Sequence, residues 1–126
     1  MKILGHGVDL TSIEEIVELM ARTDSDFSER CFTEAERQVG QSLTKSGEWY
    51  AGRFAAKEAI AKALGTGFDD TIAPIEIEIL SKPSGEPVVS LNGSTAHHAN
   101  NIGVVSWKLS ISHANGMAIA SAIACG

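Results

Sequence analysis

Arg53, Lys57, Glu58 and Lys62 place four charges in one alanine-rich stretch that runs from Gly52 to Gly67. Arg53 and Lys57 are four residues apart, as are Glu58 and Lys62, so in a helix each pair lies one turn apart on its own face. One carboxylate among three cations suits a site for a metal ion and phosphates. Spacing alone also fits a solvated helix face carrying an ordinary Glu–Lys pair worth about 0.2–0.5 kcal/mol, and such pairs are common. Two other residues stand where chemistry is possible. Asp9 closes the apolar run from Ile3 to Val8, and His113 precedes Asn115-Gly116. Each of these residues also has an ordinary role open to it: Asp9 as a helix cap, Glu58 as the partner of Lys62, His113 as a turn residue.

The elements that would position these groups can be read from local signals. Ile3 to Val8 suits a first strand that delivers Asp9 at its end. Thr11 or Ser12 then caps a helix with Glu14 and Glu15 in its first turn and an apolar stripe of Ile13, Ile16, Val17 and Met20, running to about Arg22. Short helical pieces are expected from Asp26 to Cys31 and again from Thr33, where Thr33-Glu34-Ala35-Glu36 matches a capping box. A long helix is expected from about Ser46, because alanine has the best helix propensity, with Gly65 as its stop.

Beyond a loop through Asp69, Asp70 and Pro74, the strict alternation Ile75-Glu76-Ile77-Glu78-Ile79 predicts a strand with one wet face. Lys82 to Pro87 reads as a turn, Val88 to Leu91 as a short strand, and Asn92 to Asn100 as a short helix on which His97 and His98 are surface residues. Val104 to Ser112 and Met117 to Ala124 are β-prone runs joined through Asn-Gly, a strong hairpin signal that puts His113 at the hairpin mouth.

Composition narrows the function classes. A chain of 126 residues fits one domain, 1–126, with a single core, and 44% hydrophobic with 21% charged residues is ordinary for a soluble globular protein. The net charge of -6 argues against broad binding to nucleic acid, while leaving room for a local cationic pocket. Cys31 and Cys125 are far apart and lack metal-ligand spacing, so a reducing compartment is the simplest fit. The N-terminal residues show no apolar stretch of signal-peptide length, and the longest apolar run, Met117 to Cys125, is about half what a bilayer span needs. The expectation is a cytoplasmic protein with neither membrane nor nucleic acid as partner. No phosphate-loop motif, dinucleotide glycine fingerprint, HExxH or nucleophile elbow is present.

Read together, the blocks form a pattern. Gly7-Val8-Asp9-Leu10, the central Arg53-Phe54-Ala55-Ala56-Lys57-Glu58-Ala59 with Lys62 and Gly65-Thr66-Gly67, and Ser110-Ile111-Ser112-His113 followed by Ala118-Ile119-Ala120 occur in order. In these blocks the chain resembles the holo-[acyl-carrier-protein] synthase family, the small bacterial phosphopantetheinyl transferases, over nearly its whole length.

The resemblance implies an α+β fold of antiparallel strands packed against one long helix, and a homotrimer with its sites between subunits. It implies magnesium-dependent transfer of 4'-phosphopantetheine from coenzyme A to a serine of an acyl carrier protein, as in fatty acid biosynthesis, with release of adenosine 3',5'-bisphosphate. Asp9 and Glu58 would hold Mg2+, which prefers oxygen ligands from one or two carboxylates plus substrate phosphates. Lys62 would stabilise charge building on the leaving phosphate. Arg53, Lys57, Lys62, Gly65, Thr66 and His113 become the candidate contacts to coenzyme A. The general base is open among a metal-bound water, an acidic residue and His113. Two other functions fit the same residues: a catalytically silent trimeric module that binds coenzyme A or a partner, and a magnesium-dependent phosphohydrolase acting on coenzyme A or a nucleotide.

Two positions depart from the family pattern. Where members usually present a basic side chain to an acidic carrier helix, this chain has Glu14 and Glu15. Where Gly-Lys-Pro is frequent, it has Ser84-Gly85-Glu86-Pro87, which puts an anion near a phosphate-rich ligand unless Glu86 points to solvent. Arg22, Arg30 and Arg37 are either a displaced basic patch or scattered surface arginines.

Overall fold

The computed structural model describes residues 1–65 and 67–126. Strand β1 (Ile3–Ser12) leads into helix α1 (Ile13–Ala21), followed by α2 (Phe27–Cys31), α3 (Glu34–Gln41) and the long α4 (Ser46–Ala63). A 3-10 turn at Pro74–Glu76 precedes β2 (Ile77–Ser81) and β3 (Pro87–Leu91), then α5 (Gly93–Asn101), β4 (Ser106–Ala114) and β5 (Met117–Cys125). The sheet order is β1-β5-β4, antiparallel throughout, with β2 and β3 as a separate antiparallel pair. This is the α+β architecture expected, strands against one long helix.

Local chemistry accounts for most boundaries. Ser12 accepts from Glu15 N and starts α1. Thr33 and Glu36 form the reciprocal capping box that starts α3. Asn115 and Gly116 take φ values of 53° and 76°, the double positive turn that joins β4 to β5 with the right strand twist. One expectation fails: Pro74–Glu76 is a 3-10 turn and the strand begins only at Ile77. Proline fixes φ there, and the Glu76 carboxylate turns to the start of α5, where it accepts from Ser94 N, Thr95 N and Thr95 Oγ1.

Small residues set how closely α4 approaches the sheet. Ala118, Ala120, Ala122 and Ala124 of β5 are buried under the helix beside Ala55, Ala59 and Ala63. A Cβ built on Gly5 or Gly7 would lie 1.9 Å from the carbonyl oxygen of Ala63 or Ala59, so the strand and helix backbones nearly touch. That approach lets a side chain as short as aspartate on β1 reach groups on α4. The opposite face of the sheet carries Val8, Leu10 and Ile119, which are 50%, 61% and 43% exposed. No helix of the described residues is long and apolar enough to cross a membrane.

Candidate active site

Asp9 and α4 meet at one edge of the sheet. Odd-numbered residues of β1 face the helix, so Asp9 follows Gly5 and Gly7 onto that side. Its Oδ2 accepts from Thr11 Oγ1 at 2.6 Å, and its Oδ1 lies 3.2 Å from Lys62 Nζ, which also donates to Val8 O at 3.0 Å. Asp9 is therefore not the cap of α1, and the partner of Lys62 is Asp9. Glu58 is half-buried beside them. Burial raises its pKa, the Asp9 carboxylate raises it further, and Lys62 partly offsets both. Two carboxylates repelling each other around one ammonium make a site that welcomes a second positive charge. Among the described residues no third histidine, cysteine or carboxylate joins them.

Arg53 and His113 line a different space, an open cleft of about 500 Å³ between the start of α4, β4 and the turn before β3. Lys45, Glu48 and Trp49 share its wall. The Arg53 guanidinium stacks 4.6 Å from the Trp49 ring centroid and donates to Ser81 Oγ at 2.7 Å, while its Nε is buried without a hydrogen-bond partner. Burial lowers its pKa, but a guanidinium stays charged. His113 Nε2 lies 3.6 Å from Glu48 Oε2. A cationic, aromatic-walled cleft of this kind suits a phosphorylated ligand with a flat ring.

The two regions are distinct within one chain. Arg53 and Glu58 are five residues apart on α4, about 140° around its axis. Asp9 and Ile111 are paired to the same β5 residue, Ala120, from opposite sides, so β1 and β4 lie about 10 Å apart.

The model of the 4'-phosphopantetheinyl transferase superfamily matches residues 5–120. The holo-[acyl-carrier-protein] synthase of Desulforudis audaxviator is 46% identical over 98% of this chain and 94% of its own. The chain belongs to the holo-[acyl-carrier-protein] synthase family of phosphopantetheinyl transferases. Its fold agrees with solved members. The crystal structure of the Neisseria meningitidis synthase superposes with a TM-score of 0.89 at 29% identity, covering 99% of this chain and 100% of that one. The Helicobacter pylori synthase in complex with coenzyme A gives 0.81 at 30% identity, covering 95% and 99%.

For this family member, one expected ligand contact needs correction. Lys57 is fully buried and points away from both regions. Its ammonium donates to Glu36 Oε1 at 2.7 Å, to Pro74 O at 3.0 Å and to Ile77 O, so all three donors are taken inside the protein. Burial lowers its pKa and the Glu36 carboxylate offsets part of that. Glu36 is equally buried, and beyond its capping role it accepts from Ile79 N. The pair ties α3, α4 and β2 together and supplies no charge to a ligand.

The remaining expectations sort as follows. Gly65, at φ 114°, ends α4 as expected, and Thr66 lies outside the described residues. Glu86 is exposed and pairs with Lys82, while Gly85 and Pro87 beside it border the cleft. Arg22 pairs with Asp24, Arg30 with Asp26, and Arg37 donates to Phe32 O, so each of these arginines has a local partner. Sequence reasoning missed Trp49 and Glu48. The signal for Trp49 was its place four residues before Arg53, the spacing at which helix neighbours touch.

Proposed function

We propose that the enzyme transfers 4'-phosphopantetheine from coenzyme A to a serine hydroxyl of an acyl carrier protein, releasing adenosine 3',5'-bisphosphate. The observation that carries this reading is the meeting of Asp9, Glu58 and Lys62 at the sheet edge. An oxygen-only pair of carboxylates fits Mg2+, whose other positions go to water and substrate phosphates. The Lys62 ammonium already stands against Asp9 as a stand-in cation. When bound, the ion supplies charge neutralisation at the phosphates between which the bond breaks.

The chain's own groups do the rest. The serine hydroxyl gives its proton to a base, its oxygen attacks the phosphorus that carries pantetheine, that phosphorus parts from the bridging oxygen, and the electron pair leaves with the nucleotide phosphate. Lys62 holds a positive charge where that negative charge builds. Arg53 and His113 hold the nucleotide phosphates in the cleft, and Gly65 and Gly67 border the nucleotide. Because the cleft and the carboxylates lie apart in one chain, we place the complete site between copies of a homotrimer. The apolar sheet face of Val8, Leu10 and Ile119 supplies a surface for that contact.

Incubating the protein with Mg2+, coenzyme A and an apo carrier protein should add one phosphopantetheinyl group to the carrier, read by intact mass, while sedimentation of the same sample should give a trimer. Consumption of coenzyme A without a carrier points instead to a phosphohydrolase. Binding of coenzyme A with no mass gain on any carrier from the same organism points to a binding module.

The acceptor side has its own signature. Helix α1 follows Asp9's strand directly and exposes Glu14, Glu15 and Glu18. Like charges across an interface slow encounter, so an acidic carrier is disfavoured there. Glu15→Arg should raise the association rate of an acidic carrier by about tenfold at low salt, with the gain fading as salt is added. A rate that does not respond to the substitution would place docking away from α1.

A further inference from the structure

We infer that His98 is a positioning residue for coenzyme A, acting through the C-cap carbonyl of α4. Its Nε2 lies 3.0 Å from Leu64 O across 34 residues of chain. Leu64 is the C-cap of α4, at an end where the final carbonyls lack intrahelical partners. Gly65 N donates to Lys62 O and Gly67 N to Ala61 O, which settles two of those carbonyls by local turns. Leu64 O is met instead by an imidazole from a separate element. A carbonyl accepts, so Nε2 carries the proton and the tautomer is fixed.

The element that presents His98 is itself fastened. The Glu76 carboxylate accepts from Ser94 N, Thr95 N and Thr95 Oγ1 at the start of α5, and the buried Thr95 hydroxyl oxygen also accepts from Ala73 N. His98 follows Thr95 by three residues and is half-buried, so its ring projects from a held helix. It therefore acts as a strut that sets where the chain leaves α4. The chain leaves through Gly65 at φ 114°, and Gly67 has φ 74°, values that glycine adopts at little cost and most other residues do not.

This rests on the reading that Gly65 and Gly67 border the nucleotide. Loss of the strut then weakens the grip on coenzyme A without touching the reacting atoms. His98→Ala should raise KM for coenzyme A by about three- to tenfold, the worth of one hydrogen bond, with kcat within about twofold and KM for the carrier unchanged. His98→Gln, whose amide N–H reaches Leu64 O, should restore KM to near the starting value. His98→Asn, which is shorter, should not.

A merely structural role would lower thermal stability in the Ala and Asn variants without a change confined to coenzyme A. An unchanged KM for coenzyme A in His98→Ala, or equal changes in both KM values, overturns the proposal. If His98→Ala does not fold, the Gln and Asn variants carry the same comparison. Calorimetric binding of coenzyme A in the absence of carrier separates the two readings. A protein that binds coenzyme A but transfers nothing refutes the transferase assignment, and the His98 series can still be read from its dissociation constants.

Discussion

Asp9→Asn and Glu58→Gln each lower phosphopantetheinyl transfer by more than about 10²-fold, while far-ultraviolet circular dichroism and the thermal midpoint stay close to those of the parent protein. Both substitutions keep size and shape and remove one negative charge. The physical basis is the geometry at the sheet edge, where burial and then the nearby Asp9 carboxylate raise the pKa of Glu58. Lys62 supplies one positive charge beside two carboxylates. On the proposed metal assignment, removing either carboxylate takes away one of two protein ligands and should be visible directly as weakened Mg2+ binding by calorimetry in the presence of coenzyme A. Protons compete at the same place: the raised pKa of Glu58 means that protonation sets in at higher pH than for an ordinary glutamate. Full transfer activity in Asp9→Asn or in Glu58→Gln would remove that residue from the metal site.

Lys57→Met, in contrast, costs stability and leaves ligand binding alone. Both Lys57 and Glu36 are excluded from solvent, and the methionine keeps most of the volume while stranding the Glu36 carboxylate. Breaking a buried ion pair from one side costs about 3–5 kcal/mol, because the remaining charge has neither partner nor water. Urea unfolding should show this as a large fall in midpoint with little change in slope. The double variant Lys57→Met with Glu36→Gln should recover much of the loss, since no charge is left buried and the glutamine oxygen can still accept a backbone N–H. Single-site losses that simply add would show the two groups to be uncoupled. Below its unfolding transition, folded Lys57→Met should bind coenzyme A with parental affinity. A clear loss of affinity there would restore Lys57 to the ligand site.

Lys57 and Glu58 also show where sequence reasoning stops. They are consecutive, so a helix separates them by about 100°, and one points inward while the other faces the site. Amphipathic periodicity normally tells which is which. Here it does not, because α4 is sheathed on nearly every side: Ala55, Ala56, Ala59, Ile60, Ala61 and Ala63 are all buried. Alanine marks a helix clearly and its orientation poorly. A lysine in such a segment therefore reads as well as a ligand as it does as a buried strut. His98 was misread for a related reason. Its partner is a carbonyl 34 residues away, and nothing in Ala96-His97-His98-Ala99 distinguishes the exposed ring from the one that reaches Leu64.

What was legible in the chain was most of what neighbours in sequence set. Ser12, the Thr33–Glu36 box and Asn115-Gly116 each place a boundary through bonds or dihedral preferences within a few residues. The ordered blocks around Asp9, Glu58 and His113 sufficed for the family. Tertiary packing decided the rest. It turned the Lys57 ammonium into the core, gave Lys62 to Asp9 rather than to Glu58, and set Arg53 and His113 in a cleft apart from the carboxylates. These outcomes depend on which surfaces of α4 the sheet, α3 and β2 cover, and that is fixed by how closely glycine and alanine let backbones approach across the fold.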